Sequence, residues 1–344
     1  MNNYFSGETA NDVWNQAHAE LNNNSSTLVA GRTGDTYELL HAVFSISNPR
    51  ERWVTHRLPP ISIAFALAEV VWIMASSNDA AVINFWNPPL QRYSGTGETY
   101  HGAYGYRIRK RFGRDQFIDA YNTLSHNSQS RQAVIMIWNP EDDQPNQFGV
   151  PVSSDIPCNI CSMLKIRNSS LEWTQILRSN DIFLGVPYNF VQFTMLQEIM
   201  AGWLNVGLGT YTHFSDSLHL YLRDSGRLSS SQISSPPNSD NLMADKETCS
   251  KILEWIYENM MILSSGKNDE NTILEKAFLK SGKKAYDNIM LILAAYAAKR
   301  AGYDSLKGHL IENCENHLYK HLWRNWEVQN SENRGDVHHE TEEH

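Results

Sequence analysis

A thiol, a cation and a carboxamide stand close together near the middle of the chain. Cys158 follows a proline in Asp155-Ile156-Pro157-Cys158-Asn159-Ile160-Cys161, and Arg178-Ser179-Asn180-Asp181 leads from there into Leu184-Gly185-Val186-Pro187-Tyr188-Asn189. A thiol attacks as its thiolate, and a neighbouring cation or hydrogen-bond donor raises the thiolate fraction. Arg178 and Ser179 supply both if the chain folds back on Cys158. The same pair can grip an anion, the guanidinium bidentately and the hydroxyl with one further donor. Asn189 offers a donor and an acceptor side by side, which suits the edge of a planar ring.

Cys158 and Cys161 admit three readings. Structural zinc needs four ligands, and no second paired-cysteine motif exists, because Cys249 and Cys314 lie far down the chain. A redox dithiol is disfavoured because strand residues at i and i+3 point to opposite faces. A single nucleophile with an incidental neighbour is the preferred reading, with no metal. Glu69 is a second candidate, since it interrupts the otherwise apolar run Ile61 to Ala75. A carboxylate there must face a polar cleft, titrate, or be held by a serine or arginine. The turn Gly31-Arg32-Thr33-Gly34-Asp35 reads either as a hairpin with an exposed arginine or as a close backbone approach to a ligand.

The elements that must position these residues read as an α+β domain over 1–223. Helices are expected over residues 8–22, 61–75, 115–124 and 185–204, and strands over 37–46, 133–138 (as a central strand), 156–166, 170–177 and 207–221. Cys158 is placed within the strand 156–166. Residues 82–86 form a short aromatic segment and 140–155 a long surface excursion. Residues 224–245, rich in serine, proline and asparagine, read as a linker. Four helices follow, over 247–263, 270–279, 285–300 and 305–323, as an all-helical module spanning 246–327. The acidic stretch 328–344 is expected to be a disordered tail, with His338-His339 solvated rather than metal-binding.

The totals limit the partners. A formal net charge of −9 argues against coating nucleic acid, though it leaves room for a local arginine pocket. No apolar stretch reaches the length of a membrane span, and the N-terminus lacks the pattern of a secretory signal, so a cytoplasmic protein with reduced thiols is expected.

The order and spacing of Pro157-Cys158, Arg178-Ser179-x-Asp181-x-x-Leu184-Gly185-x-Pro187-x-Asn189 and His219-x-Tyr221 resemble the thymidylate synthase and pyrimidine hydroxymethylase superfamily. Arg32-Thr33-Gly34, Glu69, Tyr104-Gly105 and Ser130-Arg131 extend the resemblance over roughly residues 8–222. It implies a thymidylate synthase-like fold, a mixed sheet with packed helices, and attack of Cys158 on C6 of dUMP. C5 then takes a one-carbon unit from 5,10-methylenetetrahydrofolate, the co-substrate, to give dTMP. Arg32, Arg178 and Ser179 would hold the phosphate, with Arg131 reaching in from the partner of a homodimer. Asn189 would read the O4/N3 edge of the base, and His219 and Tyr221 the sugar hydroxyl. Glu69 and Tyr104 would order the water that moves protons. Trp86, Asp181, Leu184 and Gly185 would meet the folate. Asn189 also favours uracil over cytosine, for which an aspartate suits better.

The departures from the pattern matter as well. Gln132 stands where a second phosphate-binding arginine is frequent, Asn159 where a histidine is frequent, and one extra residue precedes His219. The usual C-terminal strands and closing tail are not recognisable. If the altered closure admits water, 5-hydroxymethylation of dUMP or of a cytidine nucleotide is the alternative. A third reading is a catalytically silent nucleotide-sensing dimer whose C-terminal helices bind a protein partner. Whether those helices dock over the cleft or recruit a partner stays open.

Overall fold

The computed structural model describes residues 3–22, 26–31, 34–226, 234–278 and 280–339, the side chains of 330–339 excepted. Its centre is one mixed sheet of eight strands: β1 (Tyr4–Gly7), β2 (Thr27–Val29), β3 (Thr36–Ile46), β4 (Val134–Met136), β5 (Asn159–Arg167), β6 (Ser170–Leu177), β7 (Asn180–Asp181) and β8 (Gly207–Tyr221). The order is β1-β3-β8-β6-β5-β4, with β2 beside β3 and β7 beside β8. β8 runs antiparallel to β3 and parallel to β6 and β7. The β5–β6 hairpin turns through Asn168 and Ser169, both at positive φ, the conformation of tight hairpin turns. β6 alternates half-buried and buried residues along its whole length, so one face of the sheet carries the core. The other face stays partly open, with Leu40 half exposed and Ile176 and Phe214 half-buried.

Helices cover the core face. The helix Ile63–Met74 is capped by Ser62, which accepts from the Phe65 amide, and every residue in it except Glu69 is buried. The helix Val186–Leu204 starts with Pro187 in its first turn and ends at Asn205 in the left-handed conformation. These two pack against each other, and the second lies on β6 and β8. Trp14, from the helix Ala10–Asn22, donates its indole N–H to the Ile182 carbonyl and fixes the turn that leads into the second helix.

Several elements differ from what the sequence suggests. β4 lies at the sheet edge rather than its centre, because its apolar run is one-sided: Ile135 is buried while Val134 and Met136 are about 40% exposed. Residues 80–86 are helical, capped by Asp79. The surface excursion is anchored by Asp143, buried against Arg107 and His101. Cys158 precedes β5 rather than lying within it.

Among its described residues the C-terminal region holds five helices rather than four: Lys246–Ser264, Glu270–Ala277, Lys284–Ala301, Asp304–Asn313 and His317–His339. Buried Asn316 makes the break within 305–323, its Oδ1 accepting from the Leu318 amide. The described part of the expected linker, 234–245, is pinned to the main body. Asn238 bonds Glu51 and Arg50, and Leu242 and Ala244 are buried. The helix Lys284–Ala301 is buried nearly all round and packs against Ile63–Met74, so a single hydrophobic core crosses the expected boundary. The expected tail continues the last helix to His339. Among the described residues, no helix is long and apolar enough to cross a membrane.

Candidate active site

A cavity of about 590 Å³ opens where the Glu69 helix, the Cys158 loop, the N-terminus of Val186–Leu204 and the end of β8 converge. Glu69, Tyr104, Cys158, Asp181, Leu184, Gly185, Asn189, His219 and Tyr221 all line it, as the resemblance implies.

Cys158 is held by its own main chain. The Arg178 amide donates to the Cys158 carbonyl at 2.9 Å, and its guanidinium donates to the carbonyls of Pro157 and Ile156, both at 3.1 Å. That fold-back brings Arg178 Nη2 to 4.0 Å from Cys158 Sγ. Burial pushes the thiol pKa up, the Arg178 charge opposes it, and Asp155 and Asp181 add to the rise. The resting group is therefore a thiol, with a cation placed to stabilise the thiolate once a ligand displaces water.

Glu69 enters the cavity from a wholly apolar helix. Its Oε2 is buried without a hydrogen-bond partner, and burial raises its pKa to about 7, against a hydrogen bond from Gln192. It can hold or release a proton near neutral pH. Tyr104 sits beside it because Gly105 packs on the helix backbone: a Cβ at 105 would lie 2.2 Å from the Ile73 carbonyl oxygen. Burial, then the neighbouring Cys158, raise the Tyr104 pKa, so the phenol stays protonated.

β7 and β8 bring Asp181 and His219 into register. Asp181 Oδ1 accepts from the Phe183 and Leu184 amides at 2.7 and 2.9 Å, closing the turn into Gly185. Gly185 lets this turn close tightly, since a Cβ would lie 2.2 Å from Asn180 Oδ1 and that side chain would have to move. Burial lowers the His219 pKa against the pull of Asp181, and burial likewise raises that of Asp181. The His219 and Tyr221 rings meet edge to face at 5.5 Å.

Not every expected residue joins them. Trp86 does not line the cavity: its indole is 1% exposed and packs against Phe85 and Tyr296, because the segment is helical and turns that side inward. Arg131 is exposed just before β4, and Arg178 and Ser179 stand outside the lining, although Arg178 reaches Cys158. Arg32 lies outside the described residues.

Sequence reasoning missed Arg57, Arg92, Arg223 and Gln192, all of which line the cavity. Gln192 was findable, since it stands one helical turn after Asn189 on the same face. The arginines sit in irregular or short segments that give no periodic signal. Among the described residues, no group of three or more His, Cys, Asp or Glu could hold a metal.

The cavity can take a ligand that has both apolar and anionic parts. Phe65, Trp72, Ile83 and Leu184 give it apolar walls, and arginines offer charge for anionic groups.

Comparison with known proteins agrees with this geometry. The family model for thymidylate synthase matches residues 21–270. The deoxyuridylate hydroxymethyltransferase of Bacillus phage SP01 is 32% identical over 200 residues, covering 55% of this chain and 51% of that protein. The protein of the same name from Pseudomonas phage M6 is 32% identical over 159 residues, 46% of this chain and 44% of its own. The thymidylate synthase of Bacillus licheniformis is 30% identical over 166 residues, 46% of this chain and 57% of its own. The chain thus spans about half the length of the curated relatives it matches.

Proposed function

The chain belongs to the thymidylate synthase family, a family of one-carbon transferases, and on that premise we propose that it transfers a one-carbon unit to C5 of dUMP through a covalent adduct with Cys158. The observation that carries the reading is the meeting of Cys158, Glu69 and Asn189 on one cavity. Uracil C6 becomes electrophilic when O4 is polarised, and Asn189, with Glu69 and Tyr104 on the same cavity, would do this. Thiolate addition at C6 makes C5 an enolate-like nucleophile. After C5 has formed its new carbon bond it loses its proton, and the folate nitrogen would depart, leaving that carbon as an exocyclic methylene. Hydride or water would add to the methylene, and the electrons returned to the ring would expel the Cys158 sulfur from C6. Methylenetetrahydrofolate would supply the one-carbon unit and, for a methyl product, the hydride as well. Glu69, with a pKa of about 7, can deliver and recover protons at this edge of the ring. Arg178 steadies the thiolate and, with Ser179, would hold a phosphate that extends beyond the cavity lining.

We propose dTMP as the product. A second reading, 5-hydroxymethylation, is favoured by two observations. Among the described residues none beyond Arg223 lines the cavity, so the C-terminal helices do not cover it, and Trp86 is withdrawn from its wall. An open site lets water compete with hydride for the one-carbon unit. The relatives named deoxyuridylate hydroxymethyltransferase point the same way. We also propose a homodimer through the open sheet face bearing Leu40, Ile176 and Phe214, which would bring the exposed Arg131 of one protomer to the phosphate in its partner. Phe214→Glu should then give monomers in sedimentation.

The test is release of tritium from 5-tritiated dUMP in the presence of methylenetetrahydrofolate, followed by the mass of the nucleotide product. Cys158→Ala should abolish release, and retained release sinks the reading. A product heavier by a methyl group supports dTMP, whereas one heavier by a hydroxymethyl group supports the second reading.

A further inference from the structure

Beneath the cavity floor a chain of side-chain amides runs through the sheet, and its hydrogen bonds have one direction. It begins at Trp173, 1% exposed, whose indole N–H can only donate and does so to Gln175 Oε1 at 3.2 Å. Gln175 must therefore present Nε2 on its other side, and this donates to Asn159 Oδ1 at 2.8 Å. Ser162 donates to the same Gln175 oxygen at 2.5 Å.

Asn159 then presents Nδ2, which donates to Asn189 Oδ1 at 3.4 Å and also faces the Tyr104 hydroxyl. Asn189 Nδ2 donates to Asn180 Oδ1 at 3.2 Å. Asn180 Nδ2 lies 2.9 Å from His213 Nε2, and His213 Nδ1 lies 3.0 Å from the Tyr211 hydroxyl. Burial lowers the His213 pKa to about 3, so the ring is neutral; with the proton on Nδ1, towards the Tyr211 hydroxyl, Nε2 can accept from Asn180, and Ser215 Oγ lies 3.1 Å from the same nitrogen. Gln175, Asn159 and His213 are 0% exposed, so water is not available to break the direction at those points.

Asn189 is the member of this chain that also lines the cavity. Among the described residues each end of its amide makes one internal bond, leaving one lone pair and one N–H for a ligand. Uracil presents a donor at N3 and an acceptor at C4, whereas cytosine presents the reverse. An amide held in one orientation matches one of these edges, and turned over it matches the other.

We propose that Gln175, anchored by Trp173 and acting through Asn159, locks the Asn189 amide in the orientation that reads uracil, and so sets the base specificity of the site. Gln175 and Trp173 are positioning residues that never touch the nucleotide. The inference rests on the functional reading above, that a pyrimidine nucleotide binds here with Asn189 at its edge. It adds a cause for the choice between uracil and cytosine that lies outside the cavity. A site built to bond one pattern of donors rejects the other strongly, because the mismatch leaves buried groups unpaired.

The experiment compares kcat/KM for tritium release from 5-tritiated dUMP and 5-tritiated dCMP, each with methylenetetrahydrofolate, in the unsubstituted protein and in Gln175→Met. Methionine keeps the length of the side chain while removing the amide. The preference for dUMP should fall at least about tenfold, because the freed Asn189 amide can turn over to meet cytosine. Trp173→Phe, which removes the obligatory donor, should move the ratio the same way by a smaller factor, and it carries the test if Gln175→Met fails to fold. A purely structural role would slow both nucleotides equally, so an unchanged ratio in folded variants overturns the proposal. No release from either nucleotide by the unsubstituted protein would overturn the functional reading, and this inference with it.

Discussion

Two glutamates on helices that pack against each other occupy opposite kinds of burial. Glu198, 0% exposed on Val186–Leu204, accepts from Arg50 Nε at 2.7 Å, from Arg52, and from the Leu242 amide at 3.2 Å. It ties residues 50–52 and the 234–245 segment to the main helix, and so fastens the C-terminal helices to the sheet domain. Glu69 faces the cavity with one oxygen unpartnered and no arginine bound to it among the described contacts. A buried carboxylate surrounded by cations joins parts of a structure. One left to desolvation alone instead holds a proton that chemistry can use.

Breaking each side of the comparison should produce separate losses. Glu69→Gln keeps the shape and removes the titration, so kcat should fall by about 10²–10⁴ while the melting temperature holds or rises; steady-state kinetics and calorimetry read the two. Glu198→Ala should do the reverse. Removing one partner of a buried ion pair costs about 3–5 kcal/mol, and here two arginines lose their counter-charge, so the protein should melt earlier while the folded fraction keeps its turnover.

The pH dependence of stability sharpens the contrast. The folded pKa of Glu69, about 7, lies above its ordinary value of 4.5, so the folded state binds this proton more tightly. Stability from this group is full below about pH 4.5 and lost as pH rises towards 7, by roughly 3 kcal/mol at most. Denaturant titrations of Glu69→Gln should lack that decline. The smallest effect is expected at Gly185→Ala. The added Cβ must displace Asn180 Oδ1 and loosen Asn189, raising KM for the nucleotide severalfold with little change in melting.

What the sequence made legible follows from how local each signal is. Cys158, Asp181, Leu184, Gly185 and Asn189 lie in two short stretches whose turn and helix start are encoded on the spot, and the structure brings them together as read. The C-terminal helices were visible through their periodicity. The amide chain was not, because Asn159 meets Gln175 only through the pairing of β5 with β6, although Trp173 and Gln175 already share one face of β6. Nor was the withdrawal of Trp86, since an aromatic residue suits a folate wall and a buried helix face equally well. The packing of 234–245 was hidden for a related reason: its polar composition reads as a linker, and only distant partners such as Glu51, Glu198 and Tyr286 reveal an anchored strap.

The central claim is that Cys158 bonds to the pyrimidine ring. Its most direct test is intact-protein mass spectrometry after incubation with 5-fluoro-dUMP and methylenetetrahydrofolate. Fluorine at C5 does not leave as a proton does, so the covalent complex should stall and accumulate. The account predicts one nucleotide and one folate bound per chain, mapped to the peptide carrying Cys158 and absent from Cys158→Ala. An unmodified protein, or an adduct on any other residue, would contradict it.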